Sequence, residues 1–192
     1  MQGWESIGTW AGSIQSERLL IEPLRSSHAQ RLLDGMSDPL IYRWISALPP
    51  QNLQALQQRW AAAEDRGPNA RGELNLNWAV RRASDASYIG KLDAELANER
   101  VATNVGYIIF SAFWNQGYAT EAVRALACHL ERLGIVEQRA LVTLGNGASE
   151  RVLTKAGFIR TRVIPLNDTI RGEQYYDVEF VRRLPEAPAA RY

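Results

Sequence analysis

Residues 105–124 form the segment whose residue types and spacing most directly suggest chemistry. The residues at 106–110 are typical of a strand, and Trp-Asn-Gln-Gly-Tyr-Ala at 114–119 then opens a helix. A turn built on Gly117 and Ala119 leaves backbone N–H groups unpaired at the helix start, where the helix dipole also favours anions. Such donors bind phosphate oxygens, and a glycine lets a ligand approach the backbone closely. The segment therefore predicts a phosphate-binding turn, although an ordinary glycine at a loop-to-helix junction has the same spacing.

Several other site chemistries are excluded by residue spacing. No lysine followed by serine or threonine comes directly after Gly117, and the three glycines of a dinucleotide fingerprint are missing. Cys128 and His129 are neighbours on the predicted helix and point about 100° apart, which argues against a nucleophile–base pair. His28 is the other histidine, and no metal-ligand spacing is present. We therefore expect no metal site.

Two carboxylates are candidates for a general base. Asp93 and Glu95 share one face of the strand-like segment 87–96 with Lys91, because alternate residues of a strand point to the same side. A solvated strand face with charge pairing is the alternative interpretation. Glu121 lies in the first turn of the predicted helix, where its charge favours the helix dipole, and this indicates a structural partner rather than a base.

Composition and charge are those of an ordinary globular domain. The 192 residues are 46% hydrophobic and 22% charged, with a formal net charge of +1, which suits one domain with a sizeable core. The near-neutral charge argues against binding to nucleic acid or to an anionic membrane. Neither a secretory signal nor a bilayer-spanning apolar run is visible, and the single cysteine forms no intrachain disulfide. A cytoplasmic protein is therefore predicted.

Periodicity predicts the elements that position these residues. Strands are favoured at 18–24, 74–81, 87–96, 104–110, 139–144, 158–164 and 174–183. Helices are favoured at 27–35 and 50–64, from Ala119 to the stop at Gly134, and at 148–156. This order predicts a mixed α/β sheet. The domain is expected to span 16–184, preceded by an N-terminal extension at 1–15, whose Trp4 and Trp10 should pack on the body or on a partner chain, and followed by a flexible tail at 185–192.

Three motifs occur in a recognisable order at 105–107, 114–122 and 146–158, after an opening strand at 16–24. Together they resemble the GNAT acetyltransferases, in particular the branch that includes the RimJ and RimL ribosomal-protein N-terminal acetyltransferases. The resemblance implies the GNAT fold, an α/β (α+β) architecture with a central splayed mixed sheet of about seven strands flanked by helices. It also implies that acetyl-CoA lies between the fourth and fifth strands and that its acetyl group passes to a primary amine.

The resemblance also implies which residues bind the cofactor. The residues whose backbone would hold the pyrophosphate are Gln116, Gly117, Tyr118, Ala119 and Thr120. The fourth-strand residues that would hold the pantetheine and the thioester are Tyr107, Ile108, Ile109 and Phe110. Asn146 matches an asparagine that contacts the cofactor arm, and Ser149 lies where this branch places a serine near the thiol. Trp114 departs from the glutamine or arginine that usually opens the phosphate loop.

The implied reaction is direct attack of the amine on the thioester through a tetrahedral intermediate. A base must first take a proton from the ammonium, and backbone donors of the fourth strand would stabilise the oxyanion. Asn104 stands where many relatives carry a carboxylate, so Asp93 and Glu95 remain the candidates for that base. Leu153 stands where many GNAT enzymes carry a proton-donating tyrosine, which shifts that role to Ser149 or to water. A helix-start serine that bonds backbone N–H groups is the other interpretation of Ser149.

The acceptor and two other functions stay open at this point. A small-molecule or peptide α-amine is favoured, and the aromatic candidates for its pocket, which core packing would explain equally, are Tyr42, Trp44, Trp60, Tyr175 and Tyr176. One alternative function is an acyl-CoA-binding module with little or no catalysis. The other is a phosphate- or nucleotide-binding scaffold unrelated to acyl transfer. A homodimer is compatible with the base rate of oligomers.

Overall fold

The computed structural model describes residues 10–64 and 68–184 of the chain. Trp4, most of the predicted N-terminal extension and the predicted tail at 185–192 lie outside the described residues. No helix within the described ranges is long and apolar enough to cross a membrane.

Eight strands form one mixed sheet in the order β1-β2-β3-β4-β5-β6-β8-β7. They are β1 (Ile14–Gln15), β2 (Leu19–Pro23), β3 (Leu74–Arg82), β4 (Tyr88–Asn98), β5 (Val101–Ile109), β6 (Glu137–Thr143), β7 (Ile159–Ile170) and β8 (Glu173–Arg183). The predicted mixed α/β sheet is confirmed. The additional strand, β1, has two residues, too few for an alternating pattern to reveal. β7 continues past its predicted end at residue 164, because its pairing with β8 resumes at Asp168 after a register shift.

Four α-helices flank the sheet in the described residues. They are α1 (Ala29–Met36), α2 (Leu53–Glu64), α3 (Tyr118–Arg132) and α4 (Gly147–Lys155). The apolar stripe of α3 packs with one face of the sheet, and its buried members are Ala122, Val123, Leu126, Ala127 and Leu130. α1 and α2 form a second core, which includes Leu32, Leu56, Trp60, Ala79 and Phe110. The sheet is therefore covered by different helices on its two faces.

The segment that precedes β2 packs on the body of the protein. Trp10, Ala11 and Ile14 are buried in the first core. The indole Nε1 of Trp78 donates to the carbonyl of Gly12 at 3.0 Å, and Nε2 of His129 lies 3.2 Å from the carbonyl of Trp10. These contacts tie the segment to both β3 and α3.

β5 and β6 run parallel but are paired only at their first residues. Val101 pairs with Glu137, and Ala102 pairs with Gln138. The register between β4 and β5 shifts twice near Leu96, and such bulges increase the local twist of a strand. β5 therefore turns away from β6 beyond Ala102, and a cleft opens between the two strands.

Candidate functional site

Alternate residues of β5 turn their backbone toward this cleft. The N–H of Phe110 donates to the carbonyl of Ile89 at 2.9 Å, and the register between β4 and β5 is constant from there back to 104. Antiparallel strands alternate bonded and non-bonded pairs, so the intervening residues Val105, Tyr107 and Ile109 direct their N–H and C=O groups toward β6. No residue of β6 in the described ranges pairs with them. The cleft therefore offers a strand edge to an extended ligand.

Ile108 and Phe110, which were predicted to bind the cofactor, are oriented differently. Ile108 pairs with Lys91 on β4. The side chains of Ile108 and Phe110 pack in the second core. The carbonyl of Phe110 accepts from the N–H of Phe113 at 2.9 Å. Because these groups already have partners within the protein, we restrict the proposed cofactor edge to Val105, Tyr107 and the N–H of Ile109. The carbonyl of Ile109 is occupied, since it accepts from Nε1 of Trp114 at 2.6 Å.

The turn before α3 is exposed and has two residues in the left-handed region. Gly117 caps the helix with a φ of +82°, and Asn115 has a φ of +61°, so both lie in the left-handed region that glycine and asparagine tolerate best. Residues 114–117 are exposed, while the side chain of Tyr118 is buried. The first N–H groups of a helix have no partner within the helix. Those of α3 are therefore left without a helical partner at this turn.

Arg18 lies at this turn, although the sequence pattern did not single it out. Its Nε donates to Oε2 of Glu121 at 2.7 Å, and its Nη1 donates to the carbonyl of Gln116 at 3.1 Å. The backbone N–H of Arg18 and the hydroxyl of Ser16 both donate to Oε1 of Glu121, at 2.7 and 2.8 Å. Although burial acts in the opposite direction, these hydrogen bonds lower the pKa of Glu121. Glu121, expected only to complement the helix dipole, also anchors Arg18.

The hydroxyl groups of Tyr107 and Ser149 lie 2.6 Å apart and connect β5 to α4. Asn146 caps α4, because its Oδ1 accepts from the N–H of Ser149 at 3.2 Å. The Ser149 hydroxyl is therefore not the capping group. Burial raises the pKa of Tyr107 to about 12, although its hydrogen bond with Ser149 acts in the opposite direction. The phenol thus keeps its proton at neutral pH.

Asp93 and Glu95 lie on the sheet face opposite α3 and α4. Their partners on β5 are Gly106 and Asn104, respectively. The carboxylate of Asp93 lies over β5, so close to Gly106 that a Cβ at this glycine would overlap its Oδ2. Asp93 also accepts from Nζ of Lys91 at 2.7 Å. The absence of a side chain at Gly106 is thus what lets Asp93 lie against the strand.

Glu95 differs from Asp93 in its electrostatic surroundings. The described residues place no cation within ion-pair distance of its carboxylate, and the side chain reaches solvent. Partial burial is the largest cause of a raised pKa of Glu95, and repulsion from Asp93 and Glu73 raises it further. Glu95 therefore has the properties of a proton acceptor with access to water, whereas the carboxylate of Asp93 is paired with Lys91.

The five aromatic residues considered for an acceptor pocket are placed differently. Tyr176 is exposed and does not line the cavity described below. Tyr42 and Trp60 are buried in the second core, which accounts for them by packing. Trp44 and Tyr175 line a cavity of about 440 Å³ together with Arg43 and the tip of the β7–β8 hairpin. The carbonyl of Trp44 accepts from the hydroxyl of Thr143, at the end of β6, at 3.0 Å. This cavity therefore lies beside the end of the cleft.

Comparison with known proteins finds similarity to acetyltransferases. Residues 18–159 match the family described as Acetyltransferase (GNAT) domain. The chain is 22% identical over 153 residues to YoaA, an uncharacterised N-acetyltransferase of Bacillus subtilis (strain 168), covering 79% of this chain and 85% of that protein.

Solved structures with similar folds include two acetyltransferases with bound ligands. One is RimL, a ribosomal alpha-N-protein acetyltransferase in complex with coenzyme A, with a TM-score of 0.79 and 17% identity, covering 90% of this chain and 98% of that one. The other is the microcin C7 self immunity acetyltransferase MccE in complex with acetyl-CoA and AMP, with a TM-score of 0.76 and 14% identity, covering 88% and 94%. At these sequence identities the structural similarity to the two enzymes establishes the fold of this chain and nothing more.

Proposed function

Because this chain belongs to the GNAT acetyltransferase family, we propose that it transfers the acetyl group of acetyl-CoA to a primary amine. One observation carries the proposal: the edge of β5 that β6 leaves unpaired runs toward the turn at Gly117, where α3 begins. A donor with a diphosphate at one end and a thioester at the other fits these two features, with the diphosphate at the turn and the thioester arm along β5.

The residues of the cleft suit acetyl-CoA. The free N–H groups of Tyr118, Ala119 and Thr120, with the backbone of Gln116 and Gly117, would hold the diphosphate at the start of α3. The N–H and C=O groups that β5 directs into the cleft would bond the amides of the pantetheine arm as an added strand does. The side-chain amide of Asn146, on the other side of the cleft, would bond the same arm.

When bound, acetyl-CoA supplies the activated acetyl group, and residues of this chain handle the protons. We assign the proton acceptor to Glu95, because its raised pKa and its access to solvent suit a group that deprotonates an ammonium and passes the proton to water. It lies across from Asn104, the position at which many relatives carry a carboxylate. Asp93, held by Lys91, would act on the ammonium through its charge.

Ser149 is the proposed proton donor to the departing thiolate. Either hydroxyl can donate in the pair of Tyr107 and Ser149. Of the two arrangements, we propose the one in which Tyr107 donates, because the serine proton is then free for the thiolate. Leu153 is fully buried in the core, so that position supplies no acid. The backbone N–H groups of Tyr107 and Ile109 are available to stabilise negative charge on the carbonyl oxygen.

We expect Ser149→Ala to lower kcat by about 100-fold, the low end of the contribution of a positioned proton donor. The KM for acetyl-CoA should change little, because the proton is transferred only after binding. Tyr107→Phe removes one hydrogen bond and should lower kcat about fivefold. The double variant should be no slower than Ser149→Ala, since the two hydroxyls act as one unit.

Steady-state kinetics on the four proteins measures these changes. Thr154→Ala is the matched control, because the Thr154 hydroxyl lies on the same helix and donates to the helix carbonyl of Glu150 at 2.9 Å. Unchanged turnover in Ser149→Ala, with only a lower melting temperature, would reject the catalytic role of Ser149.

The proposed function is tested by following release of free thiol from acetyl-CoA in the presence of a panel of amines. Acetylation of at least one amine, with one thiol released per acetyl group, is the expected result. Binding of acetyl-CoA without thiol release from any amine would favour an acyl-CoA-binding module. Calorimetric binding of nucleotides in preference to CoA would favour a phosphate-binding scaffold instead.

The acceptor is proposed to be a protein or peptide α-amine or a small-molecule amine, as in the branch that includes RimJ and RimL. The cavity lined by Trp44 and Tyr175 lies beside the cleft and would receive it. Mass spectrometry on amino acids, polyamines, aminoglycosides and ribosomal-protein peptides would identify the acceptor. A cytoplasmic location and a homodimer stay predictions from the sequence.

A further inference from the structure

The guanidinium of Arg18 is fixed in place at the turn before α3. Glu121 holds its Nε, and the carbonyl of Gln116 accepts from its Nη1. Its Cζ lies 4.4 Å from the centroid of the Tyr118 ring. The third nitrogen, Nη2, has no hydrogen-bond partner among the described residues and lies 3.3 Å from the place that a Cβ on Gly117 would occupy. Donor groups of Arg18 are thus held beside Gly117 by neighbouring residues.

The first position of the phosphate loop, which usually carries a glutamine or an arginine, supplies no cation in this chain. Trp114 stands there, and its Nε1 donates to the carbonyl of Ile109 at 2.6 Å. The indole is thereby folded back onto the end of β5. Any positive charge at this end of the cleft therefore comes from elsewhere in the chain.

The negative charge of Glu121 makes a compensating cation necessary. Glu121 lies in the first turn of α3, where its carboxylate would repel a diphosphate bound at the same helix end. Arg18 pairs with this carboxylate at 2.7 Å and still has donors left, because a guanidinium carries five N–H groups. Arg18 can therefore neutralise Glu121 and bond a phosphate at the same time.

We propose that Arg18 binds the diphosphate of acetyl-CoA directly, with Glu121 and Gln116 orienting its guanidinium. The inference rests on the proposed function, since it assigns a further residue to the binding of acetyl-CoA. Arg18 and Gly117 both border a groove of about 980 Å³ that continues along α3. The side chain of Arg18 is 42% exposed, so an anion at the turn can reach it.

Calorimetric titration with CoA tests this assignment. Arg18→Ala should weaken CoA binding about 10- to 100-fold, the range expected for a charge-assisted hydrogen bond to phosphate. Arg18→Lys should fall between this variant and the wild type, because lysine keeps the charge but loses the planar fork. Raising the salt concentration should weaken CoA binding more in the wild type than in Arg18→Ala.

Two controls separate a diphosphate contact from a structural effect. Arg132→Ala removes a cation that borders the same groove about 22 Å along the helix from Gly117, and it should bind CoA as the wild type does. With S-acetyl-pantetheine, which has no diphosphate, kcat/KM of Arg18→Ala should match the wild type. Equal losses with both donors, or unchanged CoA binding in Arg18→Ala, would overturn the proposal. A wild-type protein that binds no CoA would instead remove the proposed function itself.

Discussion

Glu95→Gln is expected to lower kcat/KM for the amine by about 10²- to 10⁴-fold, the contribution of a positioned general base. Glutamine keeps the size of the side chain but cannot accept the proton of an ammonium. Glu95 reaches solvent and forms no ion pair within the described residues, so the melting temperature should stay close to that of the wild type. Steady-state kinetics across pH, together with thermal unfolding, measures both quantities.

The acid limb of the pH profile reports on the same carboxyl group. Partial burial raises the pKa of Glu95 most, and repulsion from Asp93 and, more weakly, from Glu73 raises it further. A base with a raised pKa becomes active only at higher pH. Removing either neighbouring charge lowers that pKa, so Asp93→Asn and Glu73→Gln should both shift the acid limb to lower pH. The shift should be larger for Asp93→Asn. At high pH, Asp93→Asn should cost at most about fivefold, because this carboxylate is already paired with Lys91.

A compensating substitution makes the assignment of Glu95 sharper. Asn104 is the cross-strand partner of Glu95, and paired residues on one face have side chains close enough to interact. Asn104→Asp in the Glu95→Gln background should therefore recover part of the lost activity. If Glu95→Gln turned over like the wild type, Glu95 would not be the base, and Asp93 or a water chain would take its place.

Trp78→Ala is expected to lower the free energy of unfolding by about 3 to 5 kcal/mol, the usual range for truncating a buried large aromatic side chain. Trp78 is fully buried on β3, and its ring meets that of His129 edge-on at a centroid distance of 6.5 Å. Its Nε1 also holds the carbonyl of Gly12. The substitution thus opens a cavity between the sheet and α3 and releases the N-terminal segment.

Denaturant unfolding measures this loss, and two further variants divide it. Trp78→Phe keeps most of the apolar volume but removes the bond to Gly12, so it should cost less than the alanine variant. Trp114→Ala is the control of the same residue type, because its side chain is 43% exposed, and it should change stability by about 1 kcal/mol or less. Equal losses for Trp78→Ala and Trp114→Ala would contradict the central position of Trp78 in the core.

The helices and strands could be predicted from the sequence because the burial of one face makes apolar residues recur at a regular spacing along the chain. The spacing of Ala122, Leu126 and Leu130 predicted α3, and these residues are fully buried in the structure. The glycine turn at Gly117 was also visible, since a positive φ there requires no information from distant residues. β1 and the second half of β7 were missed, the first because of its length and the second because the register shift interrupts its alternation.

The sequence by itself determined the mixed sheet, the helix that begins after Gly117 and the set of polar residues available for catalysis. Only the tertiary structure decided which of them meet. Arg18 reaches Glu121 across 103 positions of the chain, and Tyr107 reaches Ser149 across 42. Likewise, the register of β4 with β5 places Asp93 against Gly106 and Glu95 across from Asn104. The physical reason is that periodicity records whether a residue is buried, whereas pairing depends on strand register and twist, which the whole sheet sets together.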